Sequence, residues 1–155
     1  VEPPPPEDLV QILDRTTTAH EPDVRAVADV AGLSRMIALT REVPIAAHLT
    51  RFVADIVAAT HPDRSGAPEL VRRYARFGSS PRGAQALVLA AKVTALLSGR
   101  LNVAEEDIRS VALPALRHRI ILSYEALADE VSQDAIVEAV LASVPSPKEE
   151  LEALG

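Results

Sequence analysis

Gly78-Ser79-Ser80-Pro81-Arg82-Gly83-Ala84, running on through an alanine-rich stretch to Ser98-Gly99, is the segment whose reading decides the fold. Ser80 is a good N-cap residue, and Pro81 suits the first helical position, where a missing N–H costs nothing. Ala84, Leu87, Val88, Ala91 and Ala95 then lie on one face of a helix over 81–98, and Gly99 marks its stop. A second helix follows over 105–117. Ile108, Val111, Ala112, Ala115 and Leu116 are spaced i, i+3, i+4, i+7 and i+8, and Glu105, Glu106 and Asp107 oppose the positive end of its dipole.

Working outward, Ile45, Leu49, Phe52, Val53, Ile56 and Val57 form one apolar face of a helix that begins after Pro44. Ser132 caps a last helix with Ile136, Val137, Val140 and Leu141 inward, closed by Pro145 and Pro147. Shorter helices are expected over 6–17, around Leu33, Met36 and Ile37, and after Pro68 with Leu70, Val71 and Tyr74. Val24, Ala26, Ala28 and Val30 alternate as a short strand would, and Ile120 to Leu122 reads as a short extended piece. The expected architecture is mainly α, a small bundle of five to seven helices with room for a short strand pair.

Composition agrees with this architecture. Hydrophobic residues make up 48% and aromatics only 3%, so the core must be aliphatic and alanine-rich, which favours packed helices. A net charge of -6 works against nonspecific attraction to nucleic acid, and no apolar run is long enough to suggest a membrane span. Zero cysteines exclude disulfides and thiolate metal sites, and a cytoplasmic protein is the expectation. The four prolines in residues 1–6 read as a linker, 7–147 as the folded domain and 148–155 as a charged tail.

The order of these pieces carries a resemblance. Gly78 to Ala84 opening a long helix, Ser98-Gly99-Arg100, Val103 with Glu106-Asp107-Ile108, and Leu116-Arg117-His118-Arg119-Ile120 together resemble the helical lid of MoxR-type AAA+ ATPases. Pro6-Glu7-Asp8 with Ile12-Leu13, Val43, Phe52 to His61 and Val144-Pro145-Ser146-Pro147 extend the similarity over 6–147. Two positions depart from the family pattern. Ala104 stands where a capping Thr or Ser is usual, and Gly83 replaces a more usual alanine.

The resemblance implies a lid that closes over ATP and magnesium held by a P-loop subdomain of the same protein. Neighbouring subunits of a ring, usually a hexamer, and clients bearing von Willebrand factor A domains are the further implied partners. The chain has no phosphate loop and no paired acids for magnesium, so it is not expected to be an enzyme alone. The linker at 1–6 would then lead from the missing P-loop subdomain. Arg82 corresponds to the sensor-two arginine. A planar fork of donors at the second position of a helix suits phosphate oxygens, and Ser80 and Pro81 fix the helix start that presents it.

Other candidates have plainer readings. His20, His48, His61 and His118 show no metal-ligand spacing, although His20 with Glu21 and Asp23 makes a polar cluster. His118 between two arginines is a candidate for shaping the lid or facing a neighbouring subunit. Arg72, Arg73 and Arg76 form a basic run that is either a solvated helix face or a contact to a subunit or nucleotide edge. The competing function is a freestanding helical adaptor that docks a protein partner and has no nucleotide chemistry. A DNA-binding helix pair at 81–98 and 105–117 is disfavoured by the acids at the second helix's start.

Overall fold

In the computed structural model, residues 3–19 and 24–147 are described. The chain divides into two compact units, Val1–Leu33 and Ser34–Gly155. The first holds helix α1, Pro6–Thr16, which begins at a proline and carries Glu7 and Asp8 in its first turn. Its apolar residues Leu9, Val10, Ile12 and Leu13 are exposed. Helix α2, Val30–Glu42, starts in this unit and continues into the second. The strand suggested by the alternation from Val24 to Val30 does not form; the segment is irregular, and Val27 is 99% exposed. Alternation needs a sheet partner to bury one face. Asp29 instead starts a helix, its carboxylate accepting from the Gly32 N–H at 2.6 Å.

The second unit is the helical bundle. Helices α3 (Ala47–Ala59), α4 (Glu69–Tyr74), α5 (Pro81–Leu97), α6 (Glu105–Leu116), α7 (Tyr124–Ala128) and α8 (Gln133–Ser143) bring the described residues to eight α-helices. Two short strands, β1 (Ala75–Phe77) and β2 (Ile121–Leu122), pair antiparallel with Ala75 opposite Leu122. The fold is mainly α with a strand pair, as expected from the sequence. Phe52, Val53, Ile56, Leu87, Ala91, Ile108, Ala112, Leu116, Ile136, Val137 and Val140 meet in one core. These are the stripes the periodicity assigns to the long helices.

Helix ends follow their chemistry. Gly99 takes a φ of +71° and stops α5, a conformation open to glycine without a Cβ penalty. Ser132 Oγ accepts from the Ala135 N–H at 3.1 Å, and Ser123 Oγ accepts from Ala126 at 3.3 Å to open α7, which periodicity does not register. At α6, Ala104 cannot cap. The buried Asp107 carboxylate accepts instead from the Ala104 N–H at 2.8 Å and binds the Arg100 guanidinium at 2.7 Å. That pairing with Arg100, reinforced by the Ala104 N–H, holds the Asp107 carboxyl below the usual carboxylate range despite its burial.

Candidate functional site

The start of α5 is built from the end of α3. Thr60, fully buried at the α3 C-cap, donates its hydroxyl to the Val57 carbonyl at 2.6 Å and accepts the Ser79 N–H at 2.9 Å. His61 Nε2 lies 3.0 Å from the Ser79 carbonyl, so that nitrogen carries the proton and donates. Gly78 crosses this turn in contact. A Cβ there would lie 2.6 Å from the Thr60 carbonyl oxygen and 2.7 Å from its hydroxyl. Ser79 is buried, and Ser80, Pro81 and Arg82 emerge beyond it into solvent.

Ser80 occupies the N-cap with an extended backbone, but its side chain makes no capping hydrogen bond, which corrects the expectation that it is a working cap. The turn closes through the backbone, the Gly83 N–H donating to the Ser80 carbonyl at 2.8 Å. Pro81 is the first helical residue and Arg82 the second. An N–H at that position has no intrahelical acceptor. The Arg82 side chain is exposed and makes no hydrogen bond or ion pair among the described residues. A guanidinium held beside an uncapped helix start has the charge and donor geometry for a phosphate group.

Gly83 has a local cause. A methyl at this position would lie 2.0 Å from Ser79 Oγ and 3.2 Å from Leu116 Cδ2, and Ser79 Oγ is buried without a hydrogen-bond partner in the described structure. With Ser79 in this rotamer, a side chain at 83 could enter only if the Ser79 hydroxyl or the start of α5 shifted.

The remaining candidates go elsewhere. Arg73 pairs with Glu125 at 2.7 Å and Asp129 at 3.2 Å and lies over the Tyr74 ring at 4.8 Å, while Arg72 donates to the Ser65 carbonyl at 3.1 Å. These contacts tie α4 to α7 and to its preceding loop. Arg76 stacks over the exposed Phe77 ring at 5.3 Å. His118 is exposed in a 3-10 turn, Arg117–Arg119, whose Arg117 pairs with Asp134 at 3.1 Å. Glu105 accepts from Arg109 at 2.7 Å and from the Ser146 hydroxyl at 2.6 Å, so with Asp107 it serves the packing of α6. His48 is exposed on α3, and the cluster of His20, Glu21 and Asp23 lies outside the described residues. Among the described residues no three His, Asp or Glu side chains come together to hold a metal. The α5 start offers a guanidinium and free N–H groups, donors whose chemistry suits an anion. No described helix is long and apolar enough to cross a membrane. Thr60 leaves no mark in the sequence as part of this site, and His61 stands out there only as a histidine, because both lie 18 or 19 residues before the Ser79 they hold.

The sequence of this helical bundle matches the AAA lid domain family over residues 68–140. The chain carries the lid domain of a MoxR-like AAA+ ATPase. It is 32% identical over 146 residues to the chaperone MoxR1 of Mycobacterium tuberculosis, covering 94% of this chain and 38% of that protein. It is 39% identical over 105 residues to the protein MoxR of Paracoccus denitrificans, covering 64% of this chain and 31% of that one. The crystal structure of a candidate ATPase from Cytophaga hutchinsonii superposes with a TM-score of 0.75 at 28% identity, over 94% of this chain and 44% of that one. The chain thus spans less than half the length of these relatives.

Proposed function

We propose that this lid closes over ATP bound by a P-loop subdomain of the same protein and supplies Arg82 to the nucleotide phosphates, within a ring-forming, chaperone-like ATPase. The observation that carries the reading is the exposed, unpaired guanidinium of Arg82 at the uncapped start of α5, on a turn anchored to the core by Thr60 and His61.

ATP hydrolysis spreads negative charge over the phosphoryl oxygens as the bond to the leaving group loosens. A guanidinium fixed before the reaction stabilises that charge without reorganising, and lid closure strengthens the interaction by excluding water. Magnesium, held by the P-loop subdomain, would neutralise part of the phosphate charge. This chain's part is to orient the arginine and the helix start, so it is no ATPase by itself. The clients are proposed to be proteins with von Willebrand factor A domains, acted on in the cytoplasm.

Single-turnover ATP hydrolysis by the whole protein tests the reading. Arg82→Ala is expected to slow it by about tenfold or more, the loss of one charge-assisted contact of about 1.5 to 3 kcal/mol. Arg82→Lys keeps the charge, loses the fork and restores the rate only in part. Wild-type turnover by the Arg82→Ala protein would reduce Arg82 to a surface arginine.

A further inference from the structure

We infer that Thr60, with His61, is a positioning residue for Arg82, so that the end of α3 sets where the arginine points; the inference rests on the role of Arg82 proposed above. The geometry leaves few alternatives for what these two side chains do. The Thr60 hydroxyl has one proton, given to the Val57 carbonyl at 2.6 Å, and its lone pair takes the Ser79 N–H at 2.9 Å. His61 holds the carbonyl of the same residue at 3.0 Å. Both polar groups of the Ser79 backbone are thereby fixed by adjacent side chains of one helix end.

The flanking glycines tighten the arrangement. At 78 the backbone passes so close to Thr60 that a Cβ would meet its carbonyl carbon at 2.7 Å, and at 83 the missing Cβ leaves room for the Ser79 hydroxyl. The chain is therefore held at Ser79 before Ser80-Pro81-Arg82 and by the α5 turn after them, where the Gly83 N–H donates to the Ser80 carbonyl at 2.8 Å; the three residues make no side-chain hydrogen bond of their own among the described residues. Proline restricts the backbone between the anchors. A guanidinium sits at the end of a long side chain with many rotamers, so its base must be rigid if the charge is to arrive at one place. Thr60 touches no reacting atom in this scheme. It acts through Ser79.

Thr60→Val keeps the shape and removes the acceptor, leaving a buried N–H unpaired, whereas Thr60→Ser keeps the hydroxyl. The experiment is a double-mutant cycle in the whole ATPase, with single-turnover hydrolysis measured for wild type, Thr60→Val, Thr60→Ser, Arg82→Ala and Arg82→Ala/Thr60→Val. Expected are a loss of about tenfold for Thr60→Val, as for a misplaced catalytic group, and a rate within about twofold of wild type for Thr60→Ser. In the Arg82→Ala background Thr60→Val should change the rate by less than about twofold, because the group it positions is gone. An equal loss from Thr60→Val in both backgrounds makes Thr60 merely structural and overturns the inference, as does a wild-type rate for Thr60→Val while Arg82→Ala is slow. Wild-type turnover by Arg82→Ala overturns the proposed role of Arg82 itself, a separate outcome. Should Thr60→Val not fold, His61→Ala carries the same cycle, with His61→Gln retaining a donor as its control.

Discussion

Replacing Gly83 by alanine should destabilise this domain, although alanine is the better helix former. The new methyl would sit 2.0 Å from Ser79 Oγ and 3.2 Å from Leu116 Cδ2, well inside the roughly 3.5 to 4.0 Å of ordinary contact. Relief requires the buried hydroxyl to rotate or the α5 start to shift, an overpacking cost of about 1 to 3 kcal/mol. Alanine returns at most about 0.5 to 1 kcal/mol through helix propensity. The net loss is about 0 to 2.5 kcal/mol, which at its middle is a drop of several degrees in melting midpoint for a domain of this size. Ser79→Ala alone removes a hydroxyl that is fully buried and has no partner among the described residues, so it should be neutral or stabilising by up to about 1 kcal/mol. In the double variant the 2.0 Å clash is gone. The 3.2 Å contacts to Ser79 Cβ and Leu116 remain, close enough to be relieved by a few tenths of an ångström. Gly83→Ala should therefore change from destabilising to neutral or stabilising when Ser79 is alanine. Urea unfolding of the four proteins measures the coupling directly. Equal effects of Gly83→Ala in both backgrounds, or a more stable Gly83→Ala single variant, would refute the reasoning.

Two further perturbations test the core and the α6 start. Phe52 is 3% exposed and lies under the Arg109 guanidinium at 5.0 Å, so Phe52→Ala should cost about 3 to 5 kcal/mol, and an unchanged unfolding midpoint would show that α3 does not pack as described. Asp107 has a lowered pKa in the folded state, so its pairing with Arg100 stabilises above the ordinary carboxylate range and is lost as pH falls through the folded value. Melting midpoints followed down from about pH 6 should therefore fall less steeply in Arg100→Ala, which at neutral pH loses about 1 to 3 kcal/mol by leaving a buried carboxylate without its partner. A parallel pH dependence in the two proteins would contradict the assignment.

The long helices are legible in the sequence because burial on one face of a helix leaves a 3.6-residue trace, as at Leu87, Ala91 and Ala95 or Ile136, Val137 and Val140. Short elements leave none. The α7 helix has five residues and depends on the Ser123 cap, and β1 and β2 exist only because residues more than 40 positions apart meet. The alternation near Val24 misleads for the complementary reason, since a strand pattern without a partner has nothing to pair with. At the site, the proline-arginine start of α5 is readable as local chemistry, while the absence of a Ser80 cap bond is not. The tertiary contacts of Thr60 and His61 perform the anchoring instead, through Ser79. Gly83 is likewise a departure without a reason until its contact with Ser79 is seen.

The most direct measurement is a structure of the whole protein bound to a slowly hydrolysed ATP analogue and magnesium. With the lid closed, an Arg82 guanidinium nitrogen should lie about 2.7 to 2.9 Å from a phosphate oxygen of the nucleotide, the spacing of a charge-assisted hydrogen bond. Nucleotide-filled subunits in which Arg82 faces solvent, with the start of α5 turned away from the phosphates, would contradict the account.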